Sequence, residues 1–237
     1  MTIQFPANGS HFYATSRNIL REHGIEITIG SDFEEYQRII ELDRPMQTLG
    51  APFDPSIHSL NDKTAFWLTG RSHDGSLVHT QAVKRVPMRS KTLAGYLLRN
   101  FREYPPALPD LDLARSRYRA TPGAHRIDGS VVYHGEVWMA PSPLYRGMGL
   151  STVLARTGLM EARRKWDPDW LFGLMARTVA FKGFAERMGY MHNEPGAVRW
   201  YRHGSDQPLE GFLSYLSRDD LAFLLEMPVA DLVAEAA

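Results

Sequence analysis

The residues best suited to chemistry in this chain gather between Ser130 and Ser151. His134 and Glu136 sit in the strand-like run SVVYHGEVWMA, and the segment PSPLYRGMGLST that follows sets Arg146, Gly147 and Gly149 directly ahead of an amphipathic run. An imidazole or carboxylate there can accept a proton, directly or through water. Glycines let backbone N–H groups approach an anion closely, a following helix adds unpaired N–H groups and the positive end of its dipole, and Arg146 offers a charge-assisted contact. The stretch thus combines a base with an anion cradle.

Two familiar phosphate loops fit poorly. A dinucleotide fingerprint needs Gly-x-Gly-x-x-Gly after the first strand of a parallel unit, yet counting from Gly147 the third glycine position is Thr152, past the middle of the chain. The nucleotide-hydrolase loop needs Gly-x-x-x-x-Gly-Lys before Ser or Thr, which the chain nowhere supplies. The nine histidines show no ligand spacing and no metal is expected. With no cysteine, thiolate nucleophiles and disulfides are excluded.

The elements that must position these groups follow from periodicity and punctuation. IEITI (25–29) alternates like a half-buried strand, and Ser31 with Glu34 forms a capping-box pattern for a helix carrying Phe33, Tyr36, Ile39 and Ile40 up to Pro45. A hairpin is expected over 64–86, turning near Asp74-Gly75, and a helix over 90–104. Residues 105–126, rich in prolines and charges, read as an irregular surface insertion. A strand over 130–140 is followed by a helix from Leu150 to about Trp166, a central strand over 169–176 and a short helix over TVAFKGFAERMGY. Two closing strands and a helix capped by Ser217 and Asp220 complete the chain.

In this context the run Pro143-Leu144-Tyr145-Arg146-Gly147-Met148-Gly149-Leu150-Ser151 resembles the acyl-CoA loop of the GNAT superfamily of acyltransferases, Gln/Arg-x-x-Gly-x-Gly/Ala. Arg146, Gly149 and Ser151 occupy its named positions, Ser151 as a small substitute. The hairpin, the strand at 130–140 and the helix ending in Gly189-Tyr190 extend the resemblance over roughly residues 25–216. It implies an α+β fold, a central mixed, mostly antiparallel sheet flanked by helices. It also implies acetyl-CoA (CoA) as cofactor, held at Met139, Ser142, Arg146, Gly147, Met148, Gly149, Leu150 and Ser151. The implied activity is transfer of an acetyl or other short acyl group to an amine by direct attack, with Glu136, His134 and Tyr190 as catalytic candidates. On an unbulged strand His134 and Glu136 would share a face.

Two positions depart from the family pattern. Where many members carry a proton-donating tyrosine this chain has Ala185, with Tyr190 and Tyr201 as candidates for that duty, and where a strand N–H normally meets the pantetheine arm it has Pro141, leaving Met139 and Ser142 for that contact. Two alternatives stay open: a CoA-binding regulatory protein of the same fold without catalysis, and an acyltransferase fed by acyl carrier protein.

The 237 residues, 43% apolar and 11% aromatic, supply a sizeable core. The 27 basic residues balance the 27 acidic ones, against a chain built to grip nucleic acid or an anionic membrane. No apolar run reaches the length of a spanning helix, and a cytoplasmic protein is expected. The expected organisation is an arm (1–24), a main domain (25–216) with an insertion at about 88–128, and a C-terminal helix (217–237). The implied partner is a small-molecule or peptide amine, with a homodimer compatible. The acceptor site should draw on segments 44–62 and 88–128, where Glu103, Asp110 and Asp112 could attract a cationic amine.

Overall fold

The computed structural model describes residues 9–145 and 147–234. Helix α1 (Gly9–Glu22) turns at Gly24 into strand β1 (Ile25–Gly30). Helix α2 (Phe33–Asp43) is capped by Asp32, whose side chain accepts the N–H groups of Glu34 and Glu35, so the cap falls one residue beyond the Ser31 of the capping-box pattern. The carboxylate wins because it satisfies two orphan donors at once and complements the positive helix end. Strands β2 (Ala65–Ser72) and β3 (Leu77–Arg85) make the expected hairpin. Helix α3 (Leu93–Asn100) follows, capped by Thr92.

The segment read as irregular is ordered: it holds strand β4 (Leu111–Tyr118) and helix α4 (Pro122–Arg126). Alternation in LDLARSRY is masked by its charges, because β4 lies at the sheet edge with much of its surface in water. Strand β5 (Val131–Met139), helix α5 (Leu150–Trp166) and strand β6 (Trp170–Ala176) lie where expected. The next helix is two pieces, α6 (Arg177–Ala180) and α7 (Phe184–Arg187), broken at Gly183, whose φ of 68° ends one turn and opens the next. Strands β7 (His192–Arg202) and β8 (Leu209–Ser217) precede helix α8 (Arg218–Glu226), which begins with the predicted capping box of Ser217 and Asp220. A last turn, α9 (Asp231–Ala234), follows.

All eight strands form one sheet in the order β1-β2-β3-β5-β6-β8-β7-β4. Only β5 and β6 pair in parallel; the other neighbours are antiparallel. This is the mixed, mostly antiparallel sheet of an α+β protein, with helices on both faces.

Each face has its own core. On the first, α1, α5 and α8 pack Phe12, Leu20, Leu154, Leu159 and Leu221 against Phe66, Leu68, Val132 and Leu171. On the second, α2, α3 and α4 enclose an aromatic layer in which Tyr36 stacks on Trp67 at 5.5 Å and Phe53 on Tyr133 at 5.7 Å. Removing an aromatic of this kind from water contributes about 1.5–3 kcal/mol. Helix α5 is enclosed on nearly all sides by the sheet, α1 and the C-terminal helices, and even Arg156 is buried, donating to the Leu224 carbonyl at 3.2 Å.

Candidate functional site

Strand β5 pairs with β3 along its length but with β6 only through Val131–Tyr133 against Trp170–Phe172. β6 meanwhile stays paired to β8 from Trp170 to Ala176. Beyond Tyr133 the two parallel strands diverge, and a notch opens between them. The Ala140 N–H donates to the Val78 carbonyl at 2.8 Å, so β5 turns even-numbered groups toward β3 here. By alternation the N–H groups of Val137 and Met139 face the notch. Pro141 is next in that row and has no N–H to give.

Inside the notch on the first face lies a chain of three buried polar side chains. The Gln81 Nε2 donates to the Leu154 carbonyl at 2.6 Å, its Oε1 lies 3.0 Å from His134 Nε2, and His134 Nδ1 lies 3.1 Å from the Tyr190 hydroxyl. The roles are forced in sequence. Leu154 presents an oxygen, so the amide nitrogen of Gln81 faces it and Oε1 must accept from His134. His134 then carries its proton on Nε2, and Nδ1 accepts from Tyr190. Burial holds the imidazole neutral by lowering its pKa to about 4, and pushes the Tyr190 phenol well above its ordinary value. Gly173 on β6 leaves room for this hydroxyl; a Cβ there would meet the Tyr190 ring and the His134 carbonyl.

Glu136 lies on the other face. A register shift against β3 marks a bulge, and Glu136 takes a left-handed φ of 55°. The bulge inserts one residue, so His134 and Glu136 do not share a face as an unbulged strand would have them do. Burial favours the neutral carboxyl and raises its pKa, while Arg44 and the Gly50 N–H oppose the shift. Oε1 accepts from Gly50 at 3.0 Å and Oε2 lies 3.7 Å from Arg44, both side chains being about nine-tenths buried. Arg44 also donates to the Thr80 hydroxyl at 2.9 Å and rests on Trp138 at 5.0 Å, while Thr80 donates to the Glu136 carbonyl at 2.9 Å. The Tyr36 hydroxyl, buried beside them, has no hydrogen-bond partner among the described residues.

At the end of β5 a short helical turn (Pro143–Tyr145) leads into the glycine loop; Arg146 lies outside the described residues. The Ser142 hydroxyl accepts the Leu144 N–H at 3.3 Å. Gly147 and Gly149 take φ of 75° and 68°, conformations that suit glycine and that a side chain would strain. Gly149 is the N-cap of α5 with no side-chain cap; its carbonyl accepts from Thr152 and Val153, while Leu150 and Ser151 form the first turn. An uncapped N-terminus of a 17-residue helix beside two left-handed glycines fits an anionic group such as a diphosphate. One feature opposes free access. The main chain of Leu232 and Val233 lies against Gly149, where an added Cβ would run into the Leu232 carbonyl. Met148 is exposed and Leu150 buried.

The remaining candidates scatter. Ala185 is fully buried in the first core. Tyr201 lies at the β7–β4 edge beneath the Arg115 guanidinium, 4.7 Å away, and its N–H meets Ser116. Asp110 and Asp112 lie at the same edge, where Asp110 pairs with Arg202 at 3.9 Å; Glu103 lines a separate cavity. Among the described residues no group of three or more His, Asp or Glu could hold a metal ion. Sequence reasoning missed Arg44, Gly50, Thr80 and Gln81. Their signal is faint, because a polar residue on a strand matters only once its facing partner is known. Gln81 and Thr80, adjacent in the middle of the strand LVHTQAVKR, were the available hint.

No family model matches the chain, and no curated protein matches it. Solved structures of similar shape include NAA60 of Arabidopsis thaliana in complex with acetyl-CoA, at 14% identity and a TM-score of 0.45, over 81% of this chain and 98% of that one. YncA of Salmonella typhimurium, with its cofactor acetyl-CoA, is 13% identical with a TM-score of 0.42, over 83% and 95%. A chimera of the spermidine N-acetyltransferase SpeG of Vibrio cholerae and hSSAT is 9% identical with a TM-score of 0.41, over 82% and 97%.

Proposed function

We propose that this chain is a GNAT-type N-acyltransferase that moves an acetyl or other short acyl group from acyl-CoA to an amine of a small molecule or peptide. The observation that carries the reading is the notch between β5 and β6 with an uncapped glycine loop at its mouth. The resemblance in the sequence is supported by this local geometry: a half-unpaired strand, then left-handed glycines, then a helix N-terminus.

When bound, acyl-CoA supplies an activated thioester. Gly147, Met148, Gly149, Leu150 and Ser151 hold its diphosphate through main-chain N–H groups and the α5 dipole, with Arg146 adding charge. The Val137 and Met139 N–H groups extend the β5 ladder to the arm, and Ser142 lies at the strand's end; Pro141 interrupts that row. Glu136 holds a carboxylate whose burial raises its proton affinity, as suits a base, and Gly50 and Arg44 fix its orientation. Tyr190 directs its proton to His134 Nδ1, so it serves as a proton donor only by turning away from His134. Direct attack needs no nucleophile from the protein, which agrees with a chain that has no cysteine.

A second reading, a CoA-binding protein without catalysis, is favoured by one observation: the residue at the family's proton-donor position is the buried Ala185. Titration calorimetry with acetyl-CoA and CoA, followed by thiol release over a panel of amines, separates the readings. Binding that weakens by about tenfold or more in Arg146→Glu, with thiol release lost in Glu136→Gln, is the expected result; about tenfold corresponds to about 1.4 kcal/mol. Binding without release across the panel supports the second reading. Failure of both acetyl-CoA and CoA to bind the unaltered protein removes both readings.

A further inference from the structure

A second cavity, of about 390 Å³, opens on the other core's side of the sheet, where the loop after α2 meets α3 and the end of β3. Lys84 and Tyr96 are buried in its wall, Val86 and Leu60 line it with apolar surface, and Glu103 stands exposed at its rim. Lys84 follows Thr80 by four residues on β3, about 14 Å along the strand at about 3.4 Å per residue. Phe53, Tyr104 and Tyr133 fill the space between. The cavity is therefore separate from the notch.

Its polar groups are not satisfied by one another. The Lys84 ammonium, with three N–H groups to give, donates to the Pro52 carbonyl at 2.8 Å, its one hydrogen bond among the described residues, and lies over the Tyr104 ring at 5.2 Å. A buried ammonium with one oxygen partner is a costly arrangement. Burial lowers its pKa to about 8, against the attraction of Glu103. Yet no ion pair closes between Lys84 and Glu103 among the described residues. His58, also in the wall, has a buried Nε2 without a hydrogen-bond partner.

A lone anion entering here meets Glu103, and a lone cation meets Lys84. A molecule carrying both charges a few bonds apart answers each. We infer that this cavity binds a small zwitterion of the amino-acid class, its carboxylate on the Lys84 ammonium, its ammonium toward Glu103 and an apolar side chain against Leu60 and Val86. The volume accommodates an amino acid of ordinary size.

Three matched probes test this by NMR titration: L-leucine, L-leucinamide, which lacks the carboxylate, and 4-methylpentanoate, which lacks the ammonium. L-leucine is expected to bind about tenfold or more tightly than either analogue. Lys84→Met should bring L-leucine down to the level of L-leucinamide, and Glu103→Gln to that of 4-methylpentanoate. Glu103 is exposed, so its replacement leaves the fold intact even if Lys84→Met does not. L-leucine binding no tighter than its analogues, including no binding by any of them, overturns the inference; so does Glu103→Gln with undiminished affinity for L-leucine. No acyl-CoA is present, so the result is independent of the acyl-transfer reading.

Discussion

The two faces of β5 near its bulge solve the same problem by opposite means. On the α5 side, His134 is kept neutral inside a chain of hydrogen bonds whose donors and acceptors are all assigned by one main-chain carbonyl. On the α2 side, Glu136 lies in an ionic cluster with Arg44, where charge is balanced by charge. A buried neutral network is stable when every member is satisfied, whereas a buried ion pair is stable only while both partners remain. The difference predicts that the faces fail differently.

The largest effect is expected on the ionic side. Arg44→Met leaves the Glu136 carboxylate buried without its partner and should cost about 3–5 kcal/mol at pH 7. The loss should shrink at pH 5, where burial lets the carboxyl take a proton. Urea unfolding at the two pH values checks this, and an equal loss at both would mean that the pair is not ionic.

Acid tests the neutral side. The folded pKa of His134, about 4, lies below its unfolded value of 6.5, so the unfolded chain binds the extra proton between them. Its stabilisation is complete above about pH 6.5 and is lost as pH falls toward 4, on the order of 3 kcal/mol in all. His79, lowered by burial to about 3, acts with the same sign. In His134→Gln the unfolding midpoint should therefore depend less steeply on pH between 7 and 4.5 than in the unaltered protein. An unchanged slope would locate the acid sensitivity elsewhere.

The smallest effect sharpens the comparison most. Gln81→Leu removes one acceptor and one donor and should cost about 1–3 kcal/mol by leaving His134 Nε2 and the Leu154 carbonyl with one partner fewer each. Its distinctive readout is the ¹⁵N shift of the His134 ring. The unaltered protein should show the proton on Nε2, and the variant should lose that preference. A proton on Nδ1 in the unaltered protein breaks the assignment of the whole chain of bonds.

The strands and long helices were legible because their apolar periodicity reports burial directly: 25–30, the hairpin, β5 and α5 each lie where the pattern puts them. β4 was not, since an edge strand needs little apolar alternation. The glycine loop could be read because its backbone demands small residues, and both glycines take positive φ. The faces of His134 and Glu136 could not, because a bulge is set by the partner strand's register and reverses every side chain beyond it. Arg44 and Gln81 escaped notice for a related reason: each acquires its meaning from a group remote in sequence.

The contact of Leu232 with Gly149 sets main chain from near the C-terminus of the described residues against the glycine loop. An anion that takes the N-terminus of α5 from that side competes with the protein's own main chain. Were binding to require residues 228–234 to move aside, the observed dissociation constant would be the intrinsic one divided by the fraction of molecules in which they had moved. The anchor of that segment is modest: Val229 is buried, and Leu232 and Val233 are half-buried on the first core. An affinity at the loop would then depend on two distant stretches of sequence, and substitutions at Val229 would tune it without touching the loop.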